Sequence, residues 1–228
     1  LPEIETNRPP VAIDGPAVSG KSSVGNAFAE RIGYRFLDTG LMYRAATWYA
    51  IQNSIDVSEC SAVAQAVERM VFSVVNTDSG DNLIFINGVD VTGRLHSIEV
   101  DNSVSSVASV GRVREIMVAE QRRLAGEGGI VMVGRDIGSV VLPDAPLKIY
   151  LTATVKTRAI RRHRDFINQG VEVEFEVILK SMEQRDLVDS SRAISPLKPA
   201  ADALIVDTDD LLFDQVVDRL IELAKDVL

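Results

Sequence analysis

The chain has one cysteine, Cys60, so no disulfide can form within it, and a cytoplasmic setting is expected. Its two histidines, His96 and His163, stand too far from any metal-ligand partner to read as more than surface residues. Aromatic residues are only 5% of the sequence, a weaker argument against a β-sandwich than the alternation of strands and helices described below. No apolar run reaches the length of a membrane span, so no membrane partner is expected. The first residues lack the basic start and apolar centre of a signal peptide, and residues 1–8 read as a loose tail. Cationic surplus is missing too: the net charge is -9, whereas binding driven by counterion release from nucleic acid needs the opposite balance. No nucleic acid partner is expected, and the expected state is a monomer.

What is present has a clear direction. At 228 residues, with 46% hydrophobic and 25% charged residues, the chain fits one globular domain carrying an insertion. Its 24 basic residues divide into 18 arginines and 6 lysines, and guanidinium is the cation that grips phosphate in a two-pronged fashion. The stretch Gly15, Pro16, Ala17, Val18, Ser19, Gly20, Lys21, Ser22 fits the phosphate-loop pattern G-x-x-x-x-G-K-[ST], with Ser23 following. A short apolar strand over 10–13 precedes it and a helix over 21–32 follows, the order this chemistry requires. Backbone N–H groups of the loop and the helix start would cradle phosphate oxygens, Lys21 would reach the outer phosphates, and Ser22 would hold magnesium. Val18 is the unusual choice, a bulky β-branched residue inside the loop.

Further along, Gly33 is placed to end the first helix, a second strand spans 35–38, and Thr39 is placed to cap the helix that follows. A helix opens at Ser58. After Val71 the period changes to short strands over 72–76, 83–86 and 89–91, with turn signals at Asp78-Ser-Gly-Asp81 and Asn87-Gly88, which predicts an inserted antiparallel sheet over about 66–97. The core is then read as 9–65 with 98–228. From Ile98 the pattern turns helical again, with helices expected over 103–109, 111–125, 155–169, 172–187 and 211–226, and strands over 130–133, 147–151 and 203–206. The sum is an α/β fold: a P-loop, doubly wound, five-stranded parallel sheet with helices on both faces and a small antiparallel β insertion. Arg158 and Arg162 share one helix face, where like charges repel unless an anion relieves them. That motivates a lid over about 156–190.

Four blocks carry a resemblance to bacterial cytidylate kinases, a family of nucleoside monophosphate kinases. They are Ile13-Asp-Gly-Pro16 running into the loop; Leu37-Asp-Thr-Gly40 with Met42-Tyr43-Arg44; Gly134-Arg-Asp-Ile-Gly138 with Val140-Val-Leu-Pro-Asp-Ala145; and Arg185-Asp186 with Asp189 and Arg192. The resemblance runs from Val11 to the last helix and includes the inserted sheet, which it makes the monophosphate-binding region. It implies transfer of the terminal phosphoryl group of MgATP to CMP or dCMP. Lys21, Arg135, Arg185 and Arg192 would be catalytic, Arg44, Arg135 and Arg185 would hold the acceptor phosphate beside Thr39 and Tyr43, and Ser105 or Ser106, Arg114 and Asp136 would face cytosine. Asp189 and Arg192 would take the ribose, and Arg158, Arg161 and Arg162 would close over ATP.

These residue types suit the reaction. A phosphate monoester is largely ionised at neutral pH, so the acceptor needs no general base. The difficulty is to align two polyanions, which calls for fixed cations in a dry site. A carboxylate and a guanidinium match the amine donor and ring-nitrogen acceptor of cytosine, and uracil reverses both. Two other readings use the same loop. A kinase acting on a metabolite hydroxyl would need a carboxylate base, Asp38 or Asp136. A nucleotide-dependent switch would need N-K-x-D, which is absent, and the sole D-x-x-G, Asp90 to Gly93, falls inside the insert.

Overall fold

The computed structural model describes residues 8–77, 80–192, 194–225 and 227–228. The tail read over 1–8 lies outside them except for Arg8, as do Asp78 and Ser79 of the first insert turn. Five strands form one parallel sheet: β1 (Val11–Asp14), β2 (Arg35–Asp38), β6 (Ile130–Gly134), β7 (Leu147–Thr152) and β8 (Leu204–Asp207), in the order β2-β6-β1-β7-β8. Three more, β3 (Phe72–Asn76), β4 (Asn82–Ile86) and β5 (Val89–Asp90), form the small antiparallel sheet. Contacts divide the chain into two compact units, residues 8–10 with 29–132, and residues 11–28 with 133–228. No helix among the described residues is long and apolar enough to cross a membrane.

In the first unit, Gly33 ends α1 (Lys21–Ile32) with φ +67°, while Tyr34 N–H reaches Ala29 O at 2.8 Å and Gly33 N–H reaches Glu30 O at 3.1 Å. Only a residue without Cβ takes that left-handed cap at no cost. The expected cap at Thr39 is corrected: Asp38 caps α2 (Thr39–Gln52), its carboxylate accepting from Gly40 N–H at 2.9 Å, and Thr39 is buried in the first turn. The helix expected from Ser58 starts at Cys60 as α3 (Cys60–Arg69), and the first inserted strand begins at Phe72 as expected. Asn87 (φ 51°) and Gly88 (φ 78°) give β4 and β5 a tight turn with both central residues left-handed, as the dipeptide predicts. Ile84 and Ile86 of β4, with Val91 and Leu95, bury themselves against Ala45, Leu41, Trp48 and Tyr49 of α2. The helical pattern expected from Ile98 begins there, as α4 (Ile98–Val107), because Ser97 Oγ accepts from Val100 N–H at 3.3 Å and caps it. It is followed by α5 (Gly111–Ala125).

In the second unit, β1 pairs with β7 in parallel, Ile13 opposite Ile149, and β7 pairs with β8, Leu151 opposite Val206. Val11, Ala12 and Ile13 are wholly buried, which explains a continuous apolar run without alternation. β8 is an edge strand, and Leu204 and Ile205 are exposed there. α6 (Val155–Asn168), α7 (Phe175–Ser191) and α8 (Phe213–Ala224) complete the unit. Thr154 caps α6 by accepting from Thr157 N–H at 3.2 Å.

Candidate active site

The second unit holds the phosphate loop between β1 and α1. A Cβ on Gly15 would lie 2.2 Å from Leu151 O, so the loop leaves β1 at a point where only glycine fits. Gly20 has φ +91°, a second glycine requirement just before Lys21. Val18 has φ 59°, a conformation costing a β-branched residue on the order of 1–3 kcal/mol. Its side chain packs with Ala159 of α6 and Ile178 and Met182 of α7, so the helices hold the strained crest in place. The Ser19 hydroxyl is buried against the loop with no hydrogen-bond partner among the described residues.

Four cations reach the loop's carbonyls. Arg135 donates to Gly15 O (3.0 Å), Lys21 Nζ to Pro16 O (3.0 Å), Arg158 to Ala17 O (3.1 Å) and Arg161 to Ser19 O (3.4 Å). Carbonyls drawn toward cations in this way leave a loop whose N–H groups are available to an anion.

Asp14, the last residue of β1, is a functional candidate that sequence reasoning quoted but gave no role. Its carboxylate is 3% exposed and accepts from Ile137 N–H (2.7 Å) and Gly138 N–H (2.8 Å) at the start of a π-helical turn, Ile137–Val141. Burial pushes its pKa up to about 6, against the two backbone bonds and Lys21, which lower it; neighbouring Asp136 raises it further. The available signal was position, since a carboxylate at the carboxyl end of a central strand borders the ligand edge. Asp136 itself is buried at the head of the same turn.

The structure brings Arg135, Asp189 and Arg192 together. Asp189, 1% exposed on α7, takes Arg135 at 3.0 Å and also accepts from Arg192. Arg185 lies half-buried on the same helix. The three arginines expected to close over a ligand have different surroundings. Arg162 lies over the Phe166 ring at 4.6 Å, and Arg161 donates to Thr208 Oγ1 (3.1 Å) and Thr208 O (2.6 Å). Arg158 is buried and donates to both oxygens of Asp186, so a carboxylate of α7, not a bound anion, relieves the charge expected to repel Arg162.

The first unit places Thr39, Tyr43, Arg44, Ser105 and Arg114. Tyr43 is buried, with the Arg114 guanidinium 5.4 Å from its ring centroid, and Arg114, 3% exposed, donates to Ala108 O at 3.2 Å. Arg44 donates to Leu95 O at 2.9 Å and pairs with Asp101 at 2.6 Å. Ser105 is half-buried and Ser106 exposed on α4. Asn82 of β4, absent from the sequence reading, is buried, donates to Phe36 O at 2.7 Å and accepts from Asp38 N–H at 2.8 Å, so it fixes the end of β2 where α2 begins.

The family model described as cytidylate kinase matches residues 11–226. The chain is 44% identical over 218 residues to a cytidylate kinase of Streptococcus gordonii (strain Challis), covering 96% of this chain and 97% of that protein. It is 45% identical over 210 residues to a cytidylate kinase of Streptococcus pneumoniae serotype 4, covering 92% and 94%. A crystal structure of an uncharacterized protein from Eubacterium ventriosum shares the fold at a TM-score of 0.50 and 14% identity, over 95% of this chain and 97% of that one. A match running from the first core strand into the last helix takes in the phosphate loop, the Asp189 cluster and the inserted sheet alike, and so the chain belongs to the cytidylate kinase family.

Proposed function

We propose that the protein transfers the terminal phosphoryl group of ATP to CMP or dCMP, giving ADP and CDP or dCDP. The observation that carries the proposal is the phosphate loop, with cations at four of its carbonyls, those of Gly15, Pro16, Ala17 and Ser19. Lys21, Arg135, Arg185 and Arg192 are the catalytic set. They supply positive charge as negative charge spreads over the transferred group, and no residue needs to remove a proton from an acceptor already ionised. Arg44, Arg135 and Arg185, with Thr39 and Tyr43 beside them, take the acceptor phosphate. Ser105, Arg114 and Asp136 read the cytosine edge, and Asp189 and Arg192 hold the ribose. The inserted sheet is the monophosphate-binding region, and the helices over about 156–190 form a lid whose Arg161 and Arg162 close toward ATP.

The donor set suits magnesium. The described residues contain no group of three acidic, histidine or cysteine ligands, while the loop offers hydroxyl oxygens at Ser22, in the first turn of α1, and at the buried, unpartnered Ser19. Such a site matches a hard cation that keeps mostly water and phosphate oxygens, with Ser22 as its protein ligand. Bound there with ATP, magnesium neutralises phosphate charge. The reading is completed by a monomer without a membrane partner, acting in the cytoplasm, which the exposed free thiol of Cys60 supports, and without a nucleic acid partner, which the acidic balance of the chain supports.

The test is ADP release measured with each common nucleoside monophosphate. CMP and dCMP are expected to be turned over, and UMP to be slower by roughly 100-fold or more, since it would leave Arg114 and Asp136 facing like-polarity groups. Comparable rates on CMP and UMP would sink the base assignment. Lys21→Ala should remove turnover while the folded far-UV spectrum is kept.

A further inference from the structure

Arg158 is a natural candidate for a phosphate contact, being a guanidinium in a cationic helix near a phosphate loop, yet its surroundings give it other work. Its side chain is 3% exposed, and three of its protein acceptors come from three different segments. Nε donates to Ala153 O at 3.0 Å, ahead of α6; NH1 donates to Ala17 O at 3.1 Å, in the loop; and NH1 and NH2 donate to the two oxygens of Asp186 on α7. A guanidinium has five N–H donors, and four hydrogen bonds are accounted for.

Ala17 is next to Val18, whose left-handed φ has to be imposed from outside. Two constraints act there: the Val18 side chain is seated among α6 and α7 residues, and the Ala17 carbonyl is tied to Arg158. The peptide between Ala17 and Val18 has its oxygen turned to Arg158, which turns its N–H the opposite way. Three residues along α7 from Asp186, Asp189 repeats the arrangement, binding Arg135 while Arg135 donates to Gly15 O. Two carbonyls of the loop, those of Gly15 and Ala17, are thus each held by an arginine that a carboxylate of α7 holds in turn.

We propose that Arg158 and Asp186 form a positioning pair that fixes the Ala17–Val18 peptide of the phosphate loop, so that its N–H is directed to the nucleotide phosphates, and that Arg158 itself does not bind ATP. This rests on the reading of the protein as an ATP-dependent kinase. A freed peptide would present its carbonyl oxygen to phosphate oxygens, misplacing the transferred group without removing a catalytic charge.

The experiment compares wild type, Asp186→Asn, Arg158→Met and the double variant, reading kcat and KM for ATP with CMP saturating, with melting temperature as the check on folding. Both single variants are expected to lose about 10- to 100-fold in kcat, the range a small misplacement of reacting groups produces, and the double variant to be within about 3-fold of the worse single one. Two results overturn the proposal. In one, Asp186→Asn keeps wild-type kcat with an unchanged or lower KM for ATP, as release of Arg158 toward phosphate would give. In the other, the two losses multiply in the double variant. If Arg158→Met does not fold, Asp186→Asn decides alone, and Asp186→Glu, which keeps the carboxylate, should recover part of the loss. A wild type that makes no ADP with any monophosphate refutes the kinase reading instead, which keeps the two failures distinct.

Discussion

Asp14 is buried and still accepts two backbone hydrogen bonds that favour its charged form, and burial wins, raising its pKa to about 6. A carboxyl group whose pKa is higher in the folded chain than in the unfolded one stabilises the fold most when protonated. Its contribution is complete below about pH 4 and is lost as pH rises through 6. In denaturant unfolding, the stability of wild type relative to Asp14→Asn should therefore fall by on the order of 2–3 kcal/mol between pH 4 and pH 6.5. A difference that stayed level, or rose with pH, would show that hydrogen bonding outweighs burial at this site. The pH window is also the one in which Asp14 changes charge beside Lys21 and Asp136.

Among the elements, the inserted sheet gives the cleanest separation of backbone from packing. A Cβ on Gly88 would meet nothing within 4 Å, yet its φ is +78°, so Gly88→Ala tests conformation alone. Unfolding should become easier by about 1 kcal/mol. A variant as stable as wild type would mean that the turn relaxes to another type. The opposite case is Val18, where poor backbone conformation is held by good packing on α6 and α7, so the two effects cannot be removed separately.

At the scale of the molecule, the chain is acidic, yet three arginines, Arg135, Arg158 and Arg161, donate to carbonyls of the phosphate loop. Three exposed arginines pair with surface carboxylates, Arg112 with Glu68 and Glu115, Arg123 with Glu120 and Glu127, and Arg219 with Glu222. Pairs of this kind add little stability, but they cancel the field that would draw nucleic acid. A mobility-shift titration with duplex DNA at about 0.15 M salt should show no complex at micromolar protein. Binding there would mean that unpaired cations form a surface track.

The sequence by itself determined the parallel sheet, the inserted hairpin and the phosphate loop. Each depends on short-range rules, namely apolar runs over β1 and β6, an Asn-Gly turn, and glycines at Gly15 and Gly20 spaced for a cradle. It also picked out Arg135, Asp189 and Arg192, through their resemblance to a family pattern. Only tertiary structure decided that Asp38 caps α2 in place of Thr39, and that Arg158 turns to Ala17 and Asp186 while its helix neighbour Arg162 lies on Phe166. It likewise decided that Asp14 is buried enough to titrate near 6. A side chain's role depends on which acceptors and how much water surround it, and those neighbours come from segments far away in the chain: Ala17 and Arg158 are 141 positions apart.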